Sequence, residues 1–316
     1  MSALLERVAS FENLEQAYRE CCRRKRRSLG FRKTVFNLGE RLVRISYVLK
    51  ENRYRWGPYR EFYVCDPKRR KIMAAPFLDR VVHHAIHRVI EPLVDIHISD
   101  NVFACRHGRG NKFAAQLFFR RLKAIGSDRY VLKLDVSQYF ASIRHDILLS
   151  KLSRCLPDDS LRELIVSLLG SYALYKESGR GLPIGNLTSQ LFANFYLVDL
   201  DHLACAILGF PYYWLSEVEL PMDCFYIRYM DDLVLVGRDK KNVCRAGARI
   251  VEAAHDILDL KIPMRKRMHI GADPVPFLGY RITHEEGIPL ARNRRKIARR
   301  MRQMEKEKLR AVVYHG

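Results

Sequence analysis

The chain has 316 residues, 48% of them hydrophobic, which is enough apolar material for a large core. Its 56 lysines and arginines against 35 acidic residues give a formal net charge of +21, which favours nucleic acid over a membrane surface as a partner. Eight cysteines without a CxxC pair predict neither a disulfide framework nor a zinc site, and we recognise no signal peptide and no membrane-length apolar run. We therefore expect a cytoplasmic protein that binds nucleic acid.

The first part of the chain predicts basic helices followed by a strand. Residues 1–56 carry apolar side chains at helical spacing and the basic run Arg23–Arg27. The run Arg60–Val64 is typical of a strand, and it ends at the turn signal Asp66-Pro67. A second basic run, Lys68–Lys71, then precedes a short apolar segment.

Apolar periodicity predicts mainly helices in the middle of the chain, interrupted by one strand and one glycine-rich loop. The predicted elements are helices over 79–90 (closed before Pro92), 110–124, 145–174 and 189–208, a buried strand over 130–134, and a loop over 179–187.

The tetrapeptide Tyr229-Met230-Asp231-Asp232 lies between two apolar runs and predicts a β-hairpin with an acidic tip. A helix over 241–259 follows it, and a second hairpin is expected around Phe277-Leu278-Gly279-Tyr280. From residue 291 onward the chain predicts a strongly basic helix.

A third carboxylate, Asp135, stands at the end of the predicted strand over 130–134, 96 positions before Asp231. A single strand-end aspartate is more often structural, and a pair of aspartates is commonly a solvated turn. Together, however, Asp135, Asp231 and Asp232 would need cations to stay ionised side by side. Mg²⁺ fits this chemistry, because it prefers oxygen ligands and keeps open positions for phosphate oxygens.

The order of these motifs resembles the palm of a reverse transcriptase, over about residues 54–300. The motifs are Asp135, Gly181-Leu182-Pro183-Ile184-Gly185, Tyr229–Asp232 and Phe277–Tyr280. The resemblance implies an α+β right-hand polymerase with fingers, a palm of antiparallel strands backed by helices, and a short helical thumb. The expected units are a basic helical segment (1–56), fingers with the start of the palm (57–128), the palm (129–284, with a helical insertion at 145–174 and an aromatic one at 210–220) and the thumb (285–316).

The same resemblance implies catalytic roles for several residues. Asp135 and Asp231 would be the principal ligands of two Mg²⁺ ions, with Mn²⁺ as a substitute, and Asp232 would be the adjacent carboxylate. Lys266 falls near the lysine that protonates the leaving pyrophosphate in this family, and Lys261 is an alternative.

Other residues match positions that bind nucleotide or primer. For the incoming nucleotide these are Phe140, which would exclude a 2′-hydroxyl, and Arg70. Arg80 is a second candidate that could instead pair with Asp79. In and after the glycine loop the matching residues are Ile184, Gly185 and Gln190. For primer and template they are Tyr229 and Met230 in the hairpin, and Phe277, Leu278, Gly279 and Tyr280 as the primer grip. A solvated charge run at Lys68–Lys71 and a simple hairpin at Phe277–Tyr280 stay open as alternatives.

The glycine loop indicates a subtype. Ile184 replaces a glutamine that many reverse transcriptases carry, and the loss of this amide removes a polar check on base-pair geometry. The pattern of Ile184-Gly185 followed by Ser189-Gln190 resembles the enzymes of diversity-generating retroelements, which copy template RNA with errors at adenines during mutagenic retrohoming. That resemblance implies a small basic accessory protein, the accessory variability determinant, which forms a ring and helps hold the RNA.

Several alternatives remain at this point. An antiphage-defence or retron-like reverse transcriptase would share these motifs, and a non-catalytic RNA-binding scaffold would share the fold. The aromatic insertion Phe210-Pro211-Tyr212-Tyr213-Trp214-Leu215 predicts either a stacking platform for bases or a hydrophobic contact with another chain. The template RNA, the mode of priming, the target gene and the oligomeric state do not follow from the sequence.

Overall fold

The structure of the protein is a computed structural model, and it describes residues 3–22, 37–65, 69–173, 179–214, 223–263 and 267–289. The basic run Arg23–Arg27, Lys266 and the basic helix expected from residue 291 lie outside these residues. So does most of the segment expected to form the thumb.

Helices and short antiparallel sheets alternate along the described chain, which confirms the expected α+β class. The helices are α1 (Ala3–Ala9), α2 (Phe11–Cys22), α3 (Leu38–Lys50), α4 (Phe77–Asp95), α5 (Asn111–Ile125), α6 (Tyr139–Ser142), α7 (His145–Cys155), α8 (Asp159–Ala173), α9 (Leu187–Tyr196), α10 (Val198–Leu208) and α11 (Lys240–Asp256). The strands are β1 (Arg60–Cys65), β2 (Arg69–Ala74), β3 (Tyr130–Asp135), β4 (Cys224–Tyr229), β5 (Asp232–Gly237), β6 (Arg267–Ile270), β7 (Val275–Phe277), β8 (Tyr280–Ile282) and β9 (Gly287–Pro289).

The central sheet is antiparallel and has the strand order β4-β5-β3-β6. β5 is almost wholly buried. Helices α10 and α11 pack on one face of the sheet, and α5 packs on the other face, where Phe118 meets Phe225 of β4. Burial on both faces explains why these strands read as continuous apolar runs rather than as alternating ones. Two smaller antiparallel sheets flank this one: the ribbon β1-β2 and the three-stranded sheet β7-β8-β9.

The ribbon β1-β2 is attached to the body through its second strand. The backbone N–H of Met73 on β2 donates to the carbonyl of Ile184 in the glycine loop, at 3.4 Å. Met73 also belongs to a small buried cluster with Tyr59, Ala75 and Tyr172, apart from the main core. These contacts hold the ribbon above the end of the central sheet.

One buried carboxylate contributes to holding helix α1 against the rest of the fold. Asp158 accepts hydrogen bonds from the backbone N–H groups of Leu4 (2.9 Å) and Leu5 (3.1 Å) at the start of α1. It also accepts one from Leu161 at the start of α8, at 2.8 Å. A single side chain therefore satisfies free N–H groups at two helix N-termini.

The end of α4 differs from the sequence prediction. We expected the helix to close before Pro92, but it continues through Pro92 to Asp95. Proline has no backbone N–H, so the carbonyl of Arg88 loses its helical hydrogen-bond donor here. The last turn persists because Val94 is fully buried in the core, so tertiary packing outweighs the lost bond.

The helix predicted over 189–208 is in fact two helices, α9 and α10, which meet at Leu197. By length and hydropathy, Leu187–Leu208 could span a membrane, with a mean hydropathy of 1.5. The expectation that no apolar run approaches this length was therefore wrong. Since 72% of this stretch is buried inside the protein, we interpret it as a core element.

Two helical glycines give a matched pair of stability predictions. A Cβ at Gly247 on α11 would overlap Leu132 of β3, so Gly247→Ala should lower the free energy of unfolding by roughly 1–3 kcal/mol. Gly170 on α8 has open space around it, so Gly170→Ala should raise that free energy by about 0.5–1 kcal/mol. Urea unfolding measures both, and equal effects of the two substitutions would contradict the packing of α11 on β3.

Candidate active site

Two strand ends bring the predicted carboxylates to one edge of the central sheet. In the antiparallel register Asp135 at the end of β3 pairs with Asp232 at the start of β5, and Tyr229 pairs with Asp232 across the hairpin. Met230 and Asp231 form the two-residue turn, and Met230 adopts the left-handed conformation with φ 55°. The N–H of Val136 donates to the carbonyl of Asp231 at 3.3 Å, which ties this turn to the end of β3.

Asp135 and Asp231 line the same cleft, which has a volume of about 740 Å³ and lies between the β1-β2 ribbon and the central sheet. The structure brings three other predicted site residues into its lining: Arg70, Phe140 and Ile184. Residues from β2, β3, the turn after β3 and the glycine loop thus meet around one cavity. An anionic pair beside a cation and an apolar wall can accommodate a ligand with a charged and an apolar part.

The environment of Asp231 opposes its ionisation. Burial raises the pKa of Asp231, and the nearby charge of Asp135 raises it further, while Arg70 and Arg228 act in the opposite direction. Burial also raises the pKa of Asp232, against the attraction of Lys133. The unliganded fold therefore holds more negative charge at this edge than is favourable for its stability.

Asp232 differs from Asp135 and Asp231 because its carboxylate forms an ion pair with a lysine. Its Oδ2 lies 3.1 Å from Nζ of Lys133, which also donates to the carbonyl of Pro276 at 2.7 Å. Across the described residues, no group of three His, Cys, Asp or Glu side chains is placed to hold a metal ion. Lys133 thus pairs with Asp232 and links the hairpin to β7, while Asp135 and Asp231 line the cleft. Metal ligation by the three neighbouring carboxylates stays a prediction.

The raised pKa of Asp231 predicts that this residue destabilises the metal-free protein. The folded state binds the proton more tightly than the unfolded chain does, so stability falls as pH rises through the raised pKa. At pH 8 with chelator, Asp231→Asn should therefore raise the free energy of unfolding by about 1 kcal/mol. Thermal unfolding of both proteins at pH 8 and at a pH below the ordinary aspartate pKa of about 3.9 checks this, and a gain that is no smaller at the lower pH would contradict it.

A buried ion pair that the sequence analysis missed supports the hairpin of β4 and β5 from within the core. Arg228 on β4 and Asp201 on α10 are both fully buried, and two hydrogen bonds of 2.6 Å join the guanidinium to the carboxylate. Arg228 also donates to the carbonyl of Met230 at 3.0 Å, which fixes the turn. An arginine inside the otherwise apolar run of β4 was the sequence signal for this contact.

The glycine loop is hydrogen-bonded to the short helix α6, which carries Phe140, and to the residue that follows it. Leu182 N–H donates to the carbonyl of Phe140 at 2.7 Å, and Gly181 N–H donates to that of Ile143 at 2.8 Å. Gly181 has φ 91°, and a Cβ there would lie 3.2 Å from the ring of Tyr172, so both conformation and space favour glycine. This packing sets Phe140 and Ile184 on the wall of the cleft.

Three predicted nucleotide-binding residues lie outside the described lining of the cleft. Arg80 on α4 places its guanidinium 5.4 Å from the ring centre of Phe77. The Asp79 carboxylate, the alternative partner of Arg80, accepts from the Tyr54 hydroxyl (2.8 Å) and the N–H of residue 57 (2.7 Å).

The other two residues belong to the glycine loop and the helix after it. Gly185 follows Ile184 with φ 122°, against the side chain of Ile72 on β2. Gln190 lies half-buried on α9. The structure thus places Ile184 in the cleft lining, with Gly185 next to it in the chain and Gln190 on the following helix.

The residues predicted to hold primer and template occupy two hairpins. Tyr229 is hydrogen-bonded through its hydroxyl to Asn111 on α5. In the second hairpin Leu278 and Gly279 form the turn, with φ 48° and 85°, and Tyr280 starts β8. Phe277 is buried, with its ring centre 4.8 Å from that of Phe118, so its contacts are those of a core residue.

The described part of the aromatic insertion packs within the chain. Trp214 donates through Nε1 to Asn101 (3.1 Å), and the carbonyl of Tyr212 accepts from Asp100 N–H (3.1 Å). Asn101 in turn accepts from the N–H of Arg228 on β4, at 2.9 Å. The described part of this segment supports the edge of the Met230–Asp231 hairpin, and Tyr213 alone among its described aromatics is exposed. A role in base stacking or in contact with another chain stays a prediction.

Comparisons with known proteins agree with this fold. The sequence model of the reverse transcriptase (RNA-dependent DNA polymerase) family matches residues 65–282. The chain is 23% identical over 266 residues to the protein YkfC of Escherichia coli, which covers 74% of this chain and 69% of YkfC. It is 25% identical over 169 residues to the group II intron-encoded protein LtrA of Lactococcus lactis, which covers 51% of this chain and 28% of LtrA.

Among solved structures, apo telomerase from Candida tropicalis superposes with a TM-score of 0.53 at 8% identity. The match covers 74% of this chain and 49% of the telomerase chain. At such low identity the likeness establishes the fold alone, and it agrees with the expected polymerase architecture. The chain spans about half or less of the telomerase and of LtrA, so these proteins contain further parts with no counterpart in the match.

Proposed function

This chain belongs to the reverse transcriptase (RNA-dependent DNA polymerase) family, and from this premise we propose that it makes cDNA on an RNA template by deoxynucleotidyl transfer. The supporting observation is the meeting of Asp135, Asp231, Arg70 and Phe140 in one cleft. The direct test is extension of a DNA primer on RNA by the purified protein with Mg²⁺. Absence of extension would refute the proposal and favour a non-catalytic RNA-binding scaffold.

The donor set of the cleft fits Mg²⁺. Asp135 and Asp231 supply two carboxylates, and burial, followed by repulsion from Asp135, raises the pKa of Asp231. Proteins commonly hold Mg²⁺ with one or two carboxylates plus substrate phosphates. When bound, such ions lower the pKa of an attacking hydroxyl and stabilise a leaving pyrophosphate oxygen. Asp232 would act through Lys133 as a positioning residue, and Mn²⁺ would be an alternative ion.

The chain's own residues would bind and orient the nucleotide. Arg70 would hold the triphosphate, since a guanidinium suits bidentate contacts with phosphate oxygens. Phe140 would lie against the sugar. The primer 3′-hydroxyl would attack the α-phosphorus and pyrophosphate would leave, with Lys266 proposed as its proton donor. Tyr229, Met230 and the second hairpin would position the primer end.

Phe140 should set the preference for deoxynucleotides. Because its ring borders the cleft, Phe140→Ala would open space for a 2′-hydroxyl and raise the relative kcat/KM for ribonucleotides about tenfold or more. Single-nucleotide incorporation with matched dNTP and rNTP measures this ratio. Ile143→Val, a fully buried position in the next turn, is the control and should leave the ratio unchanged. An unaltered ratio in Phe140→Ala would remove Phe140 from the sugar site.

We further propose that the enzyme is error-prone at template adenines and works within a diversity-generating retroelement. The pattern of Ile184 and Gln190 supports this subtype, as does the position of the apolar Ile184 side chain on the cleft wall. Its partners would be a structured template RNA and a small basic accessory protein, and its location would be cytoplasmic.

Fidelity tests the subtype. Sequenced cDNA should show misincorporation concentrated opposite adenines, and Ile184→Gln should lower this error rate several-fold by restoring an amide near the base pair. Ile184→Leu keeps the site apolar and should leave the error rate unchanged. Uniform fidelity in the wild type would reject the diversity-generating role and leave an intron, retron or defence enzyme.

A further inference from the structure

The wall of the cleft formed by the β1-β2 ribbon holds an acidic residue that the proposed reaction does not use. Glu61 on β1 and Lys71 on β2 both line the cleft, beside Arg70. Oε1 of Glu61 lies 2.8 Å from Nζ of Lys71. The side chains of Glu61 and Lys71 are 42% and 46% exposed, respectively. In the register of the ribbon Glu61 pairs with Met73, so Lys71 is its diagonal neighbour on the same face.

Because of this ion pair, the two basic residues of the described cleft lining, Arg70 and Lys71, have different partners. Arg70 is close enough to the catalytic edge to lower the pKa of Asp231. Lys71 is instead bound by Glu61, whose hydrogen bond raises the pKa of Lys71. One cation therefore faces the carboxylate pair, while the other is neutralised by an acid on the same ribbon.

We propose that Glu61 is a competing anion that restrains nucleotide affinity: the incoming triphosphate must displace Glu61 before Lys71 can bind a phosphate oxygen. This inference rests on the proposed function, because the triphosphate belongs to a polymerase substrate. A lysine on its flexible four-carbon chain can move from one anion to another. An exposed ion pair is weak, so a more highly charged triphosphate displaces the carboxylate.

The competition acts on binding alone. Glu61 would weaken the ground-state complex of every nucleotide to the same extent, so it would raise KM for all four without changing the discrimination among bases. This separates Glu61 from Ile184, which we expect to change fidelity. It also separates Glu61 from Asp231, which we expect to change the rate of the chemical step.

A double-mutant cycle isolates the effect of Glu61 on Lys71. Glu61→Gln should lower the KM for dNTP about threefold, as expected for release of an exposed ion pair. Lys71→Met should raise that KM about tenfold by removing a charged contact to phosphate. In the Lys71→Met background, Glu61→Gln should have no further effect. Glu51→Gln, the same charge change at an exposed position after α3, is the control and should leave KM unchanged.

A binding measurement makes the test independent of catalysis. On a primer terminated with a dideoxynucleotide, the Kd of the next dNTP should follow the same pattern across the cycle. An unchanged Kd in Glu61→Gln, or an equal decrease with and without Lys71, would overturn the role of Glu61. Failure of the wild type to extend a primer would refute the proposed function instead, and the binding arm would still decide whether Glu61 competes for Lys71.

Discussion

Asp231→Asn is expected to reduce the rate of primer extension on RNA by about a thousandfold or more. The substitution keeps the size of the side chain but removes one of the two carboxylates that face the cleft, and with it a ligand for the ion that would stabilise charge in transfer. Single-turnover incorporation with saturating dNTP measures the effect on the chemical step.

Two variants serve as references for this loss. Asp256→Asn changes an exposed carboxylate at the end of α11 and should retain wild-type activity. Asp232→Asn should have an intermediate effect, because Lys133 already neutralises that carboxylate. Since Asp231→Asn is also predicted to stabilise the metal-free protein, a loss of activity would not be due to unfolding. Activity within tenfold of wild type would remove Asp231 from the catalytic site.

Arg228→Met is expected to destabilise the fold by about 3–5 kcal/mol, the largest effect on stability that we predict. The substitution leaves the fully buried carboxylate of Asp201 without its counter-charge and frees the carbonyl of Met230 in the catalytic turn. The double variant Arg228→Met/Asp201→Leu removes both charges and should recover much of the lost stability, because a buried pair can be replaced by apolar groups at little cost. Denaturant unfolding of the wild type, the single variant and the double variant measures these free energies.

An exposed pair provides the control for this prediction. Arg249→Met breaks the contact of Arg249 with Glu252 on the surface of α11 and should cost less than about 1 kcal/mol. Catalysis should not recover with stability in the double variant, since the contact to Met230 is still missing. Equal costs for Arg228→Met and Arg249→Met would contradict the buried network.

The acidic edge of the central sheet could be predicted from sequence because its signals are local. Apolar strands that end in Asp135 or flank Asp231 determine both the hairpin and the position of the carboxylates at its end. The register that sets Asp135 opposite Asp232 follows once the two strands pair, because side-chain direction alternates along a strand. The placement of Phe140 and Arg70 in the cleft agrees with expectations drawn from family resemblance.

Contacts between distant segments could not be predicted in the same way. Lys133, which contacts Asp232, also donates to the carbonyl of Pro276, and Pro276 lies 143 positions further along the chain. Helix α4 passes Pro92 because its last turn is buried by other elements, which helix propensity does not describe. The sequence does not indicate that Trp214 donates a hydrogen bond to Asn101, because the two residues lie far apart along the chain.

The most direct test of the account is the joint removal of the two carboxylates that face the cleft. If Asp135 and Asp231 act as one unit, the double variant Asp135→Asn/Asp231→Asn should incorporate nucleotide no more slowly than either single variant, because the first loss already disables the unit. Single-turnover incorporation on an RNA template compares the three variants with wild type. Losses that multiply in the double variant, or a single variant that keeps wild-type rates, would contradict a shared catalytic site.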